Sequence, residues 1–172
     1  MVALFFEQAP VIPPGWTLVR LGPLAQMVHA GSAPSGHEAL QGDAQLRRLT
    51  PGDAPAMVDL AELTEPGPFR LRTIELGAFF GIFHGTDLMA MAGQRLRLTT
   101  LVEVSGVCTH PDARGRGYAR TVMARVMQEI FAEGKTPFLH VLAGNEGAIR
   151  VYRDLGFSMR RELVYAVLKR DG

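Results

Sequence analysis

The tetrapeptide Arg114-Gly115-Arg116-Gly117 brings together the two residue types that phosphate binding asks for. Glycine lets a backbone approach an anion closely, and arginine forks onto phosphate oxygens. An apolar β-like run over residues 101–108 precedes it and a helix-like run follows, so it reads as a strand-to-helix junction. The first N–H groups of a helix lack intrahelical acceptors, and the helix dipole adds positive charge there. Such a junction suits a pyrophosphate. A P-loop is excluded, because no Gly-Lys-Ser/Thr follows the turn. A dinucleotide-binding turn is poorly matched: Arg120 stands where a third small residue belongs, and the strand lies mid-chain after a hairpin. For these four residues alone, the competing reading is a surface loop with solvated arginines.

Other reactive residues carry less. Cys108, the single cysteine, sits in an apolar β-like run and reads as a buried core thiol rather than a nucleophile. The histidines at 29, 37, 84, 110 and 140 share no metal-ligand spacing with it, so no metal site is expected. His140, at the end of a strand, is a reserve base. Met89, Met91, Met123 and Met127 read as core filling.

The elements that must position the junction follow from periodicity. Residues 1–46 are the least patterned part, with a short strand at Trp16–Val19 and a loop at Gly31–His37. Thr50-Pro51-Gly52-Asp53 offers a capping hydroxyl, a proline at the first helical position and an acid in the first turn. Met57, Leu60, Ala61 and Leu63 continue at helical spacing, and Glu65-Pro66-Gly67-Pro68 ends that helix. Apolar runs at 77–83 and 87–93 flank His84-Gly85-Thr86 as a hairpin. A helix over Thr121–Phe131 stops at Gly134, a strand follows at 137–142, and a short helix over Glu146–Leu155 stops at Gly156. A last strand covers 163–168. The expected fold is α+β or mixed α/β, with residues 1–46 as an extension and 47–172 as the domain.

Composition narrows the classes. At 172 residues, 47% hydrophobic and 20% charged, the chain suits one domain with a real core. A net charge of +1 gives no general attraction to nucleic acid or an anionic membrane, so any anion site is local. The first residues lack a basic segment before their apolar run, and no run approaches the ~20 apolar residues of a membrane helix. A cytoplasmic protein is expected.

Two segments carry a family resemblance. Arg114-Gly115-Arg116-Gly117-Tyr118-Ala119 resembles the Gln/Arg-x-x-Gly-x-Gly/Ala signature of the GNAT superfamily of N-acetyltransferases. Residues 145–157 resemble its Asn-x-x-Ala-x-x-x-Tyr-x-x-x-Gly-Phe segment, with Asn145, Ala148, Tyr152, Gly156 and Phe157 at the defining positions. The stretch 104–111 is similar to a subgroup whose substrates are mostly undefined. The resemblance covers 101–168 strongly and reaches back to about residue 49.

The resemblance implies a mostly antiparallel twisted sheet with splayed central strands, flanking helices and acetyl-CoA as cosubstrate. The pantetheine arm would run along the backbone of Val107, Cys108 and Thr109, and the pyrophosphate would lie on residues 114–119. Asn145 and Ala148 would serve the cofactor, Asn145 alternatively as a helix cap. An amine has a pKa around 10 and needs a base. Glu103, eleven positions before Arg114, matches the basic glutamate of the histone-acetylating branch. Tyr152 matches the tyrosine near the coenzyme sulfur, which would return a proton. The acceptor would be an amine bound near Leu63–Leu76, with Glu62, Glu65 and Glu75 as attracting carboxylates, and a homodimer is compatible with the family. The alternative is a non-catalytic acyl-CoA-binding regulatory module of the same fold.

Overall fold

The structure, a computed structural model, describes residues 1–34, 40 and 42–172. Ser35, Gly36 and His37 of the expected loop therefore lie outside the described residues. The fold is mixed α+β with eight mostly antiparallel strands and flanking helices. The chain divides into two compact units, Met1–Ala30 with Leu139–Gly172, and Gly31–Phe138. The boundary expected after residue 46 does not fall between them. Among the described residues, no helix is long and apolar enough to cross a membrane.

The first unit centres on β8 (Phe157–Arg170), flanked antiparallel by β1 (Val2–Phe6) and β2 (Trp16–His29). The short strand expected at Trp16 is thus the start of a 14-residue one. Its pairing with β8 runs from Trp16↔Arg170 to His29↔Phe157, so sheet partners far along the chain define it where local pattern does not. Helix α3 (Glu146–Asp154) is opened by Asn145, whose Oδ1 accepts from the Ala148 N–H at 3.1 Å. It buries Ile149 and Tyr152, three residues apart and therefore on one face. Gly156 ends it at φ +89, where a Cβ would meet His29 Nε2 at 2.7 Å. Only glycine suits that position.

In the second unit, β4 (Phe79–His84) and β5 (Asp87–Arg97) form the expected hairpin about Gly85, and β3 (Gln45–Arg48) adds to its outer edge. On the other side, β5 pairs with β6 (Leu101–Thr109). β6 then pairs in parallel with the start of β7 (Thr136–Leu142) through Leu101↔Thr136, Val102↔Pro137 and Glu103↔Phe138. Alternate residues of β4 separate two helices. Phe79 joins the cluster of Met57, Leu60 and Ala61 from α1 (Ala54–Thr64), whereas Phe80 lies under the Arg125 guanidinium of α2 (Tyr118–Ala132) at 4.4 Å. Burial of Met57 and Leu60 stabilises this packing by roughly 1.5–3 kcal/mol each.

Helix α1 starts as its sequence suggests, after one 3-10 turn at Pro51–Asp53. Asp53 accepts from the Thr50 N–H at 2.7 Å and from Arg47 at 2.6 and 2.9 Å. The Arg47 guanidinium holds its carboxyl well below the usual carboxylate range. Glu65, at φ 49, ends the helix with its N–H on the Ala61 carbonyl.

His29 supplies a pH test of the first unit. Burial lowers its pKa against a smaller opposing hydrogen bond that the ring donates to the Leu155 backbone, so the folded state favours the neutral ring. The stability this contributes is present above the unfolded value near 6.5 and is lost as pH falls toward the depressed folded value. Denaturation midpoints of the wild type should fall as pH drops below about 6.5, and His29→Phe should lessen that slope.

Candidate active site

Strand β6 leads into the site, and two bulges shape it. Between Gly93↔Ser105 and Met91↔Cys108, Gly106 and Val107 face the single residue Ala92. Gly106 takes φ +62 there, which glycine alone adopts at no cost. Between Gln94↔Val104 and Arg97↔Val102 the surplus is on β5, where Arg95 and Leu96 face Glu103. This second bulge aims Arg95 at Glu103: Nε donates to Oε2 at 2.8 Å and Nη2 to Oε1 at 2.6 Å. Glu103 is 1% exposed and Arg95 25%, so Glu103 is a buried, fork-held carboxylate. Burying an ion costs several kcal/mol unless the pairing geometry is good, and a two-point fork supplies that geometry.

Beyond its pairing with β7, β6 runs on through Val107, Cys108 and Thr109. Cys108 is buried against α1, and burial pushes its thiol up to about 12, with Thr64 hydrogen bonding in opposition. A thiol so held is a core group at neutral pH, as the sequence suggested. The Thr109 hydroxyl is buried, and no hydrogen-bond partner for it appears among the described residues.

The glycine junction follows. His110 starts a 3-10 turn at Pro111–Ala113, its Nδ1 accepting from the Asp112 N–H at 3.2 Å. Gly115 and Gly117 both sit at φ +77, and Gly117 caps α2. The helix begins at Tyr118, three residues before the expected Thr121, because the second left-handed glycine turns the chain straight into it. Its first intrahelical bond runs from the Thr121 N–H to the Gly117 carbonyl at 3.1 Å. Helix geometry therefore gives the preceding N–H groups, those of Tyr118 and Ala119 included, no intrahelical acceptor. A Cβ on Gly115 would enter open space, so its φ, not crowding, demands glycine. Arg114 and Arg116 are exposed beside it. Left-handed glycines, outward N–H groups at a 15-residue helix and two exposed guanidinium groups fit a pyrophosphate.

Tyr118 contributes differently from the rest of its motif. Its side chain is buried, and its hydroxyl lies 2.5 Å from His84 Nε2, while Asp43 sits 3.1 Å from His84 Nδ1. The chain Asp43–His84–Tyr118 ties the helix start to the β4–β5 hairpin. Sequence reading missed it, since nothing local links positions 43, 84 and 118.

Asn145, Ala148, Tyr152 and His140 belong to the first unit, apart from Glu103 and the glycine junction in the second. The Asn145 amide is engaged as a helix cap, one of its two expected roles. Tyr152 is 8% exposed, its ring edge-on to Phe157 at 6.3 Å between centroids. His140 Nε2 lies 2.9 Å from Gln26 Nε2. Gln26 Oε1 accepts from Arg160 and Arg161, so its amide nitrogen is the donor and the His140 lone pair is already taken. That argues against the reserve base.

A small open recess borders β6 at Ser105 and Gly106. Its walls include Phe69, Phe79, Arg95 and Thr73. The segment Leu63–Leu76 supplies part of the wall. The expected carboxylates do not: Glu62, Glu65 and Glu75 are absent from the lining, and Glu75 forks the exposed Arg72 at 2.7–3.0 Å.

The family model of FR47-like proteins matches residues 79–166, which spans β4 to β8 and includes both motifs. The structure overlays that of a Novosphingobium aromaticivorans protein assigned to the GNAT family of acetyltransferases, with TM-score 0.91 and 39% identity over 99% of this chain and 75% of that one. This chain belongs to the GNAT family. Two other members share the fold at lower identity. The ribosomal-protein-S18-alanine N-acetyltransferase of Escherichia coli is 19% identical, with TM-score 0.61, over 75% of this chain and 96% of that one. A GCN5-related N-acetyltransferase of Kribbella flavida is 22% identical, with TM-score 0.62, over 88% of this chain and 59% of that one. No curated protein sequence matches the chain. Within GNAT proteins the fold supports acetyl transfer to amines generally, and the resemblance read from the two motifs is thereby borne out at family level.

Proposed function

We propose that the chain is an acetyl-CoA-dependent N-acetyltransferase acting on a primary amine by direct attack. The observation that carries this reading is the junction where β6 passes through Gly115 and Gly117, both left-handed, into the N-terminus of α2. Backbone N–H groups at Tyr118 and Ala119, with Arg114 and Arg116, would hold a pyrophosphate there. The β6 backbone at Val107, Cys108 and Thr109 would pair with an extended amide-bearing arm, and Asn145 and Ala148 belong to the second cofactor motif. Acetyl-CoA, when bound, supplies an acetyl thioester.

The amine nitrogen forms a bond to the acetyl carbon as the carbon–sulfur bond breaks, giving an N-acetylated product and free coenzyme A. One amine proton is surplus. Glu103, whose two carboxylate oxygens accept from the Arg95 guanidinium, takes it directly or through water. Tyr152 returns a proton to the sulfur, since a phenol near pKa 10 matches that task. The Tyr152 role rests on its place in the Asn-x-x-Ala-x-x-x-Tyr-x-x-x-Gly-Phe segment.

Coenzyme A release, measured across a panel of amines beside thermal shifts with acetyl-CoA, tests the whole reading. Binding without turnover of any amine would point to the non-catalytic acyl-CoA-binding module instead.

Three variants test its parts. Gly117→Val places a branched side chain at φ +77 against the anion path. Acetyl-CoA affinity should fall by about tenfold or more in protein that circular dichroism shows to be folded; unchanged affinity would remove the pyrophosphate from this turn. Glu103→Gln should lose most activity near neutral pH and regain part of it as pH rises toward the amine pKa. A kcat/KM profile overlaying that of the wild type would assign the base elsewhere. Tyr152→Phe should lower kcat by about ten- to a thousandfold with acetyl-CoA affinity close to wild type. Full activity in that variant would end the proton-donor role.

A further inference from the structure

We infer that His84 is a positioning residue for the cofactor: acting through Tyr118, it fixes the first turn of α2, whose N–H groups would receive the pyrophosphate of acetyl-CoA. The inference rests on the acetyltransferase reading and adds to that site a residue that lies outside both sequence motifs.

The need for such a residue comes from the turn itself. Gly115 and Gly117 both sit at φ +77, and a Cβ on Gly115 would meet no atom within 4 Å. Glycine has the greatest backbone freedom of any residue, so two of them in an open turn leave the direction of the next N–H groups weakly determined. An anion that must first order its own cradle binds less tightly. The restraint has to come from a side chain held elsewhere in the fold. Tyr118 meets that need. It is the first residue of α2 and is 3% exposed, and helical side chains lean back toward the N-terminus, which brings its ring close to the turn.

His84 supplies the fixed point. It is the last residue of β4, paired with Asp87 across the hairpin, so a sheet supports it. Its Nε2 lies 2.5 Å from the Tyr118 hydroxyl, and the two rings stand 5.7 Å apart. On the other side of the imidazole, Asp43 Oδ1 lies 3.1 Å from Nδ1. In the neutral ring, an Nδ1–H held by that carboxylate leaves Nε2 as a bare acceptor, and the Tyr118 hydroxyl donates to it. Asp43 thus orients the imidazole, and the imidazole holds the phenol. All three residues belong to the second unit, together with the glycine junction. Without His84 the buried phenol loses this acceptor, and a buried hydroxyl left unpaired shifts toward another partner. The helix start shifts with it.

The test measures the dissociation constant of acetyl-CoA by calorimetry for the wild type, His84→Phe, His84→Gln, Tyr118→Phe and the double variant His84→Phe with Tyr118→Phe. His84→Phe should weaken binding by about three- to tenfold, the range that one hydrogen bond commands. His84→Gln should recover most of the loss, because its side-chain carbonyl can take the same phenol proton. Tyr118→Phe should resemble His84→Phe, and the double variant should be no weaker than either single one. In protein free of cofactor, amide hydrogen exchange at Tyr118 and Ala119 should be faster in His84→Phe. For an amine that is turned over, the loss should appear in KM for acetyl-CoA, with kcat at saturation close to wild type. Unchanged affinity in His84→Phe, or full additivity of the two single changes, overturns the inference and leaves the acetyltransferase reading intact. A kcat that falls as far as the affinity overturns it as well, since that marks a general disturbance of the fold. Should His84→Phe fail to fold, His84→Gln and Tyr118→Phe decide: near-wild-type affinity in Tyr118→Phe overturns the inference, and a loss there with retention in His84→Gln supports it. A wild type that does not bind acetyl-CoA defeats the cofactor reading, and the inference falls with it.

Discussion

Two opposed bulges in the β5–β6 pair are the constraint on which the site in the second unit depends. One carries Gly106 at φ +62, and the other places Arg95 and Leu96 against Glu103. The Phe79 ring enforces the first. A Cβ on Gly93 would lie 2.2 Å from that ring, and one on Gly106 would lie 3.2 Å from it. A large aromatic ring can therefore lie on the sheet only where two adjacent strands both present hydrogen in place of a side chain. Phe69 then stacks edge-on against Phe79, and the loop that carries it becomes the cavity wall. Core packing and cavity shape are here one fact.

The same bulges set the electrostatics. In a regular ladder a single β5 residue would oppose Glu103, and successive residues would point to opposite faces. The extra residue re-aims Arg95 so that its fork meets both carboxylate oxygens. A buried carboxylate without such a partner would cost several kcal/mol, so Arg95 and Glu103 stand or fall together.

Two features hold the glycine turn, the proposed pyrophosphate site, in place independently of any ligand. Gly115 and Gly117 adopt their left-handed backbone at little cost, and the Asp43–His84–Tyr118 chain fixes the first residue of α2 against the hairpin. A turn so anchored loses little conformational freedom when an anion arrives, which favours binding. Cys108, though it lies on the β6 segment assigned to the cofactor arm, contributes its backbone there and its thiol to the core.

How much was legible in the sequence depended on the range of the interaction responsible. Helix α1 was readable because Thr50, Pro51 and Asp53 encode its start within four residues, and the hairpin because Gly85 separates two apolar runs. The glycine junction and the Tyr152 segment were readable because their chemistry is written in consecutive residues. Residues 1–30 were not. β2 is a strand by virtue of β8, 154 positions away at the pair Trp16↔Arg170, and its exposed first half shows no buried alternation. The Arg95–Glu103 fork was equally hidden: eight positions separate the two, and only a bulge brings them together. Gly106 did leave a trace, a glycine inside a strand pattern, which often marks a bulge. By itself, then, the sequence determined the local elements, the glycine turn before α2 and the family, since each rests on contacts within a few residues. Tertiary structure alone decided the fate of each charge, because whether a glutamate is solvated, capping or locked to an arginine depends on which distant strand folds beside it.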